Sequence, residues 1–134
     1  MPEQEEPLKP LEQVAAELGD YPVAAFQFVR AGLQHTVHRI HGRSPDEESG
    51  PRHVGGRELC EGLRDLAIQR WGMLAGVVLE RWNITSTMDF GRIVFALVDS
   101  GWLSKTESDV LDDFKNVYDF RAVFERDYRI EDKP

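Results

Sequence analysis

His35, His38 and His41 stand three residues apart in a segment that also carries Arg30, Arg39 and Arg43, and His53 follows Arg52 further along. Imidazoles spaced in this way suggest the chemistry of a metal ion or a phosphate. On a helix of about 100° per residue, steps of three set neighbours about 60° apart and the outer two about 120° apart. No carboxylate one turn on supports the trio, and a straight helix cannot bring all three onto one tetrahedral zinc. The plainer reading is a solvated outer helix face. Metal binding or an enzyme using His35, His38 and His53 is the alternative.

Arg52-His53-Val54-Gly55-Gly56 ahead of a helix suggests an anion cradle, since backbone N–H groups and the helix dipole would converge there. Its spacing matches neither a Walker loop nor a dinucleotide fingerprint, so helix-entry geometry explains it as well. Asp89-Phe90-Gly91 spells a kinase tripeptide without any other kinase signature and reads as a helix start. Asp109, Asp112, Asp113 and Asp119 lack the pattern of a calcium hand and read as a solvated acidic face. No Gly-x-Ser-x-Gly elbow accompanies the serines, and Cys60, between Leu59 and Leu63, is placed to pack as a thiol. The fourth and fifth expected helices, followed by Gly101-Trp102-Leu103, have the outline of a winged helix-turn-helix. Its would-be recognition helix carries Asp89 and Asp99 against Arg92, a poor balance for neutralising phosphates. Trp71, Trp82 and Trp102 are candidates for core or interface.

Apolar periodicity supplies the elements that must hold these residues. Leu11, Val14, Ala15 and Leu18 mark a short helix stopped by Gly19, and a second is expected over 22–41, capped by Asp20 and facing inward through Phe26, Val29, Leu33, Val37 and Ile40. The glycine- and proline-rich stretch 42–56 reads as one long, mobile loop. A third helix starts near Gly56 with Gly55 as N-cap and Glu58 reaching back, and buries Leu59, Leu63, Leu66, Ala67 and Trp71. Gly72 ends or kinks it, and Leu74, Val77, Val78 and Trp82 continue an apolar face to a stop at Asn83. Thr87 is expected to cap a helix with Phe90, Ile93, Val94, Leu97 and Val98 inside, ended by Gly101 with Trp102 folded back. Thr106 with Asp109 outlines a capping box for a helix burying Val110, Leu111 and Phe114, and Asp119 a last one with Val123, Phe124 and Tyr128.

The chain has 134 residues, 41% hydrophobic and 30% charged, and a net charge of −8, which suits a single ordered domain. That acidity disfavours wrapping nucleic acid or lying on an anionic membrane. Its distribution is uneven: residues 21–57 carry five Arg against three acids and hold all four His. With one cysteine no intramolecular disulfide is possible, and the N-terminal residues lack the pattern of a secretory signal, so a cytoplasmic location is expected.

Several blocks then occur in order: Arg52-His53-Val54-Gly55-Gly56-Arg57-Glu58-Leu59-Cys60-Glu61-Gly62, Leu66-Ala67, Trp71 to Ala75, Trp82-Asn83-Ile84, Thr87 to Val98, Leu103 to Asp109, and Asp112 to Phe120. Together they resemble a conserved bacterial family restricted to Planctomycetes and Verrucomicrobia, over about residues 20–125. Gly55 stands where a Ser or Thr cap is expected and Asn83 where Gly is usual, while the acidic tail and the length of 42–51 look particular to this chain. That family has no established activity. The resemblance therefore implies a cytoplasmic bacterial protein and assigns no catalytic residue or cofactor.

The expectation is an all-α bundle of six or seven short helices over 11–128, with tails at 1–10 and 129–134 and at most a two-residue β-bridge near Ile84 and Leu103. Its expected function is a non-enzymatic protein–protein interaction module. Candidate partner-binding residues are Arg30, His38, Arg39, Arg43, Arg52 and His53, with no catalytic residue, metal or cofactor assigned. The alternative is a regulator or ribosome-associated factor meeting RNA or an acidic partner through 30–57. A homodimer through the apolar helices 73–82 and 88–98 is a further possibility.

Overall fold

The computed structural model describes residues 9–41, 54–103 and 111–125 of the chain, and its helices begin and end where the backbone dictates. Five α-helices are formed: α1 (Leu11–Leu18), α2 (Val23–His41), α3 (Gly56–Trp71), α4 (Ala75–Arg81) and α5 (Thr87–Asp99). A 3₁₀ turn (Gly72–Leu74) joins α3 to α4, and a second 3₁₀ turn (Leu111–Phe114) and a π turn (Arg121–Glu125) follow α5. The all-α class is as expected, and no strand or bridge occurs among the described residues. The N–H of Ile84, a candidate for such a bridge, is used in a helix stop.

Three helix ends are set by left-handed residues. Gly19 ends α1. At the end of α5 the N–H of Trp102 donates to the carbonyl of Leu97 (2.8 Å) and that of Gly101 to Val98 (3.1 Å), with Gly101 at φ 85°. This is the Schellman arrangement. The same pair of bonds closes α4, where Ile84 donates to Leu79 (2.9 Å) and Asn83 to Glu80 (2.9 Å), with Asn83 at φ 68°. Gly72, at φ 54°, separates α3 from α4, so 56–81 is two helices with a turn between.

Two helix starts differ from the expected caps, those of α2 and α5, while Gly55 with Glu58 and Asp119 stand where expected. α2 begins at Val23, and Asp20 instead gives its carboxylate to Arg92. At α5 the N-cap is Ser86. Thr87 lies inside the helix, where it is buried and its hydroxyl donates to the Phe114 carbonyl (2.6 Å) and accepts from the Val117 N–H (3.1 Å). At α3 the Gly55 N–H donates to the Glu58 carboxylate (3.0 Å), one half of a capping box whose other half glycine cannot supply. At the last turn the Arg121 N–H donates to the Asp119 carboxylate (3.1 Å).

The core lies between α2, α3 and α5. α3 and α5 turn inward the residues their spacing predicts, with Leu59, Leu63, Leu66 and Ala67 buried on one and Phe90, Ile93, Val94 and Leu97 on the other. Trp71 and Val98 are only partly covered. α2 is rotated from its expected face: Ala25, Phe26, Phe28, Val29 and Thr36 are buried, while Leu33 and Val37 are half-covered. The cause is a close approach of two helices. Gly32 of α2 lies against Leu63 and Gly62 of α3 against Thr36, so closely that a side-chain carbon on either glycine would overlap its neighbour. Contact at small residues draws the helices together and turns the bulkier Leu33 and Val37 outward.

α4 is rotated as well. Ala75 and Leu79 are buried, and Leu74 and Val77, expected inside, are exposed. The π turn covers the flank at Gly76, where an added side-chain carbon would lie 3.1 Å from Phe124 Cβ. Phe114 and Phe124 are buried as expected. Residues 104–110, the proposed Thr106–Asp109 box and Tyr128 lie outside the described residues, as do the tail 1–8, residues 42–53 and the side chains of Ile40 and Leu111.

Candidate functional site

The basic, His-rich segment is described only along α2. Arg30 and Arg39 are nine residues apart, about 180° around a helix, and each has a partner on its own side. The Arg30 guanidinium lies 4.7 Å from the ring centroid of Trp102, whose indole N–H donates to the Lys9 carbonyl (2.9 Å). Arg39 pairs with Asp65 of α3 at 2.6 Å, and Asp65 also accepts from Arg64 (2.9 Å). His38 is exposed and His35 half-buried. The structure thus does not bring Arg30 and Arg39 together. Arg43, Arg52 and His53 lie outside the described residues. Among the described residues no three His, Cys, Asp or Glu side chains are grouped as a metal site. At the start of α3, the N–H group free to meet an anion at Gly55 is taken by the chain's own Glu58.

Periodicity gave no sign of the polar cluster that ties the α1–α2 connection to α5. Tyr21, buried, donates to Asp89 (2.5 Å) and accepts from Arg92 (3.1 Å). Arg92 also reaches the Asp20 carboxylate (2.5 Å), and the Asn83 amide donates to the Asp20 carbonyl (3.1 Å). The second oxygen of Asp89 accepts the N–H groups of Thr85 (2.9 Å) and Ser86 (3.1 Å). Asp89 therefore serves as helix-start acceptor and cross-link at once. Burial, and then the Asp89 carboxylate, push the Tyr21 hydroxyl far above its ordinary range, so it stays a hydrogen-bond donor at neutral pH.

Two other proton-bearing groups are fixed in the same sense. Cys60 is buried, and desolvation, followed by Glu61, raises its thiol to about 12. A thiol so raised is a packing group and a poor nucleophile. Tyr118 donates to the Cys60 carbonyl (2.7 Å) under the guanidinium of Arg64, and burial pushes its hydroxyl up strongly. Tyr118 and Phe120 stack, and Phe124 and Phe90 both close on Phe120. These groups hold the 111–125 segment on α3 and α5.

No family model, curated protein or solved structure matches the chain.

Among the described residues the exposed large hydrophobics are Met73 (53%), Leu74 (61%) and Val77 (52%), all in the 3₁₀ turn and α4. Nearby in the chain, Trp71 and Trp82 form a triad with Phe28, with centroid separations of 5.2, 5.8 and 5.5 Å. Both tryptophans are half-buried, and Arg70 stands over Phe28. Trp71, Trp82 and Trp102 thus act as supports in the fold, while aliphatic side chains meet solvent. The partner-binding residues expected from the sequence lie at 30–57, and Leu74 and Val77 were expected to face inward, whereas the structure exposes both. The overlooked signal was the small residues Ala75 and Gly76, which fit a close inner contact better than the larger Leu74 and Val77.

Proposed function

We propose that the chain is a non-enzymatic interaction module that binds another protein through the exposed face of the 3₁₀ turn and α4. One observation carries this reading: Met73, Leu74 and Val77, neighbours in the chain, are left in water, while the other large apolar side chains among the described residues are at least partly covered. Scattered single hydrophobics are ordinary on a surface, but a contiguous group is the usual mark of a contact site. Tyr21, Tyr118, Cys60 and Asp89 are all engaged in holding the fold, so they favour no reaction. RNA contact through 30–57 gains no support from Arg30 and Arg39, which lie on opposite sides of α2. A cytoplasmic location, and membership of the Planctomycetes and Verrucomicrobia family resembled by the ordered blocks, belong to the same proposal. Among the described residues no helix is long and apolar enough to cross a membrane.

The test is site-specific photo-cross-linking in the native cell, with the reactive group at position 74 and, as control, in place of exposed Glu12 of α1. A discrete adduct from position 74, missing from position 12 and lost with Val77→Lys, is expected. No adduct from position 74 would overturn the reading.

A further inference from the structure

We infer that the α4 face takes an amphipathic helix from a different protein, one whose apolar stripe is flanked at both ends by acidic residues. This rests on the interaction reading above and names the partner's chemistry. Val77 and Arg81 are one turn apart on α4, and Leu74, the N-cap of that helix, precedes Val77 by three, so the three follow one side of it. They form a ridge of the kind that seats against the groove of another helix. Met73 adds an unbranched side chain that adapts to what it meets. In the chain, exposed cations flank the three on either side: Arg70 in the last turn of α3 and Arg81 in the last turn of α4. Glu80 is exposed beside Val77, which puts the partner's acids at the ends of its stripe and away from the middle. At physiological salt charges act over about 8 Å, so the two arginines outweigh the chain's distant net charge of −8.

Charge and size also separate this occupant from a second copy of the chain. A two-fold contact uses the same patch on both partners, and centring it between Leu74 and Val77 turns the Arg70 end of one copy onto the Arg81 end of the other. Like charges would then meet at both ends. Three half-exposed side chains also fall far short of the ~800 Å² per partner of a standard stable interface, whereas a single helix binds through a few anchors.

The experiment uses the full chain and three fluorescent helical peptides that share one leucine stripe and carry Glu, Gln or Lys at both ends, read by anisotropy at physiological salt. The Glu-flanked peptide is expected to bind at least about tenfold more tightly than the Lys-flanked one, a difference of about 1.4 kcal/mol. Arg70→Glu with Arg81→Glu should invert that order, and Leu74→Gln with Val77→Gln should abolish binding. These side chains are exposed, so an unchanged thermal midpoint shows that the variants still fold. The inference is overturned by equal affinities, by a preference for Lys, by failure of all three peptides to bind, or by binding that survives Leu74→Gln and Val77→Gln. A dimer in sedimentation that those substitutions dissolve would overturn it too. A specific cross-link from position 74 together with no charge preference would leave the interaction reading standing and sink this one.

Discussion

At the scale of single residues, the contacts that matter most join elements far apart in the chain. Thr87 is buried in α5, and its hydroxyl serves both the Phe114 carbonyl and the Val117 N–H. Thr87→Val keeps the shape and strands both backbone groups, so a loss of about 1–3 kcal/mol is expected in urea unfolding, with Thr87→Ser retaining most of the stability. A larger loss for Ser than for Val would mean that the methyl group, and not the hydroxyl, is what matters. Gly62 tests packing in the same manner. An added methyl collides with the buried Thr36 side chain, so Gly62→Ala should cost about 1–3 kcal/mol even though alanine is the better helix former. Thr36→Ala made alongside it should restore part of that loss, because the two changes share one contact. Gly32→Ala meets the movable end of Leu63 and should cost less. None of these pairings was legible in the sequence, where Thr36, Gly62 and Thr87 carry no periodic signal.

At the scale of elements, what could be read from the sequence divides along a physical line. Helix stops depend on one or two local torsions, so Gly19, Asn83 and Gly101 stand where composition put them. The buried faces of α3 and α5 were legible too, since each has one wide stripe of large apolar residues. α2 and α4 offer two plausible stripes each, and the neighbour decides between them. Gly62 and Leu63 select the Val29, Gly32 and Thr36 side of α2, and the inner contact of Ala75 and Leu79 leaves Leu74 and Val77 outside. Candidate site residues fared likewise. The nine-residue spacing of Arg30 and Arg39 already placed them on opposite sides of a helix, but their partners Trp102 and Asp65 come from other elements. Caps are the weakest local signal, as Ser86 in place of Thr87 shows. The cap of α3 also leaves room for improvement: Gly55 is extended (φ −72°, ψ 165°), and an added side-chain carbon would lie 3.7 Å from the Glu58 carboxylate, an ordinary contact. A serine there adds an acceptor for the first turn and restricts the unfolded chain. Gly55→Ser should therefore raise stability by about 0.5–1 kcal/mol, read as a higher urea midpoint at unchanged slope.

At the scale of the whole molecule, the buried ionisable groups share one sign of response to pH. Cys60 rises from an ordinary value of 9.0 to about 12, first by burial and then by the nearby Glu61. Tyr21 and Tyr118 are raised as well, in each case chiefly by burial. In the unfolded chain the thiol gives up its proton near pH 9, while the folded chain keeps it to about pH 12. Over that interval the unfolded state binds fewer protons than the folded one, so unfolding becomes easier as pH rises. The contribution of Cys60 is thus complete below about pH 9 and is lost toward pH 12, at a slope approaching about 1.4 kcal/mol per pH unit. Above about pH 10, where unfolded tyrosines ionise, Tyr21 and Tyr118 add to the decline. Urea midpoints measured from pH 8 upward should stay level and then fall from near pH 9, steepening beyond about pH 10. Cys60→Ala should remove the early part of that fall and leave the later part, because only the thiol titrates in the first interval. An early slope that is the same with and without the thiol would mean that Cys60 is not shielded from water, and with it the close packing of α3 against the 111–125 segment would have to be given up.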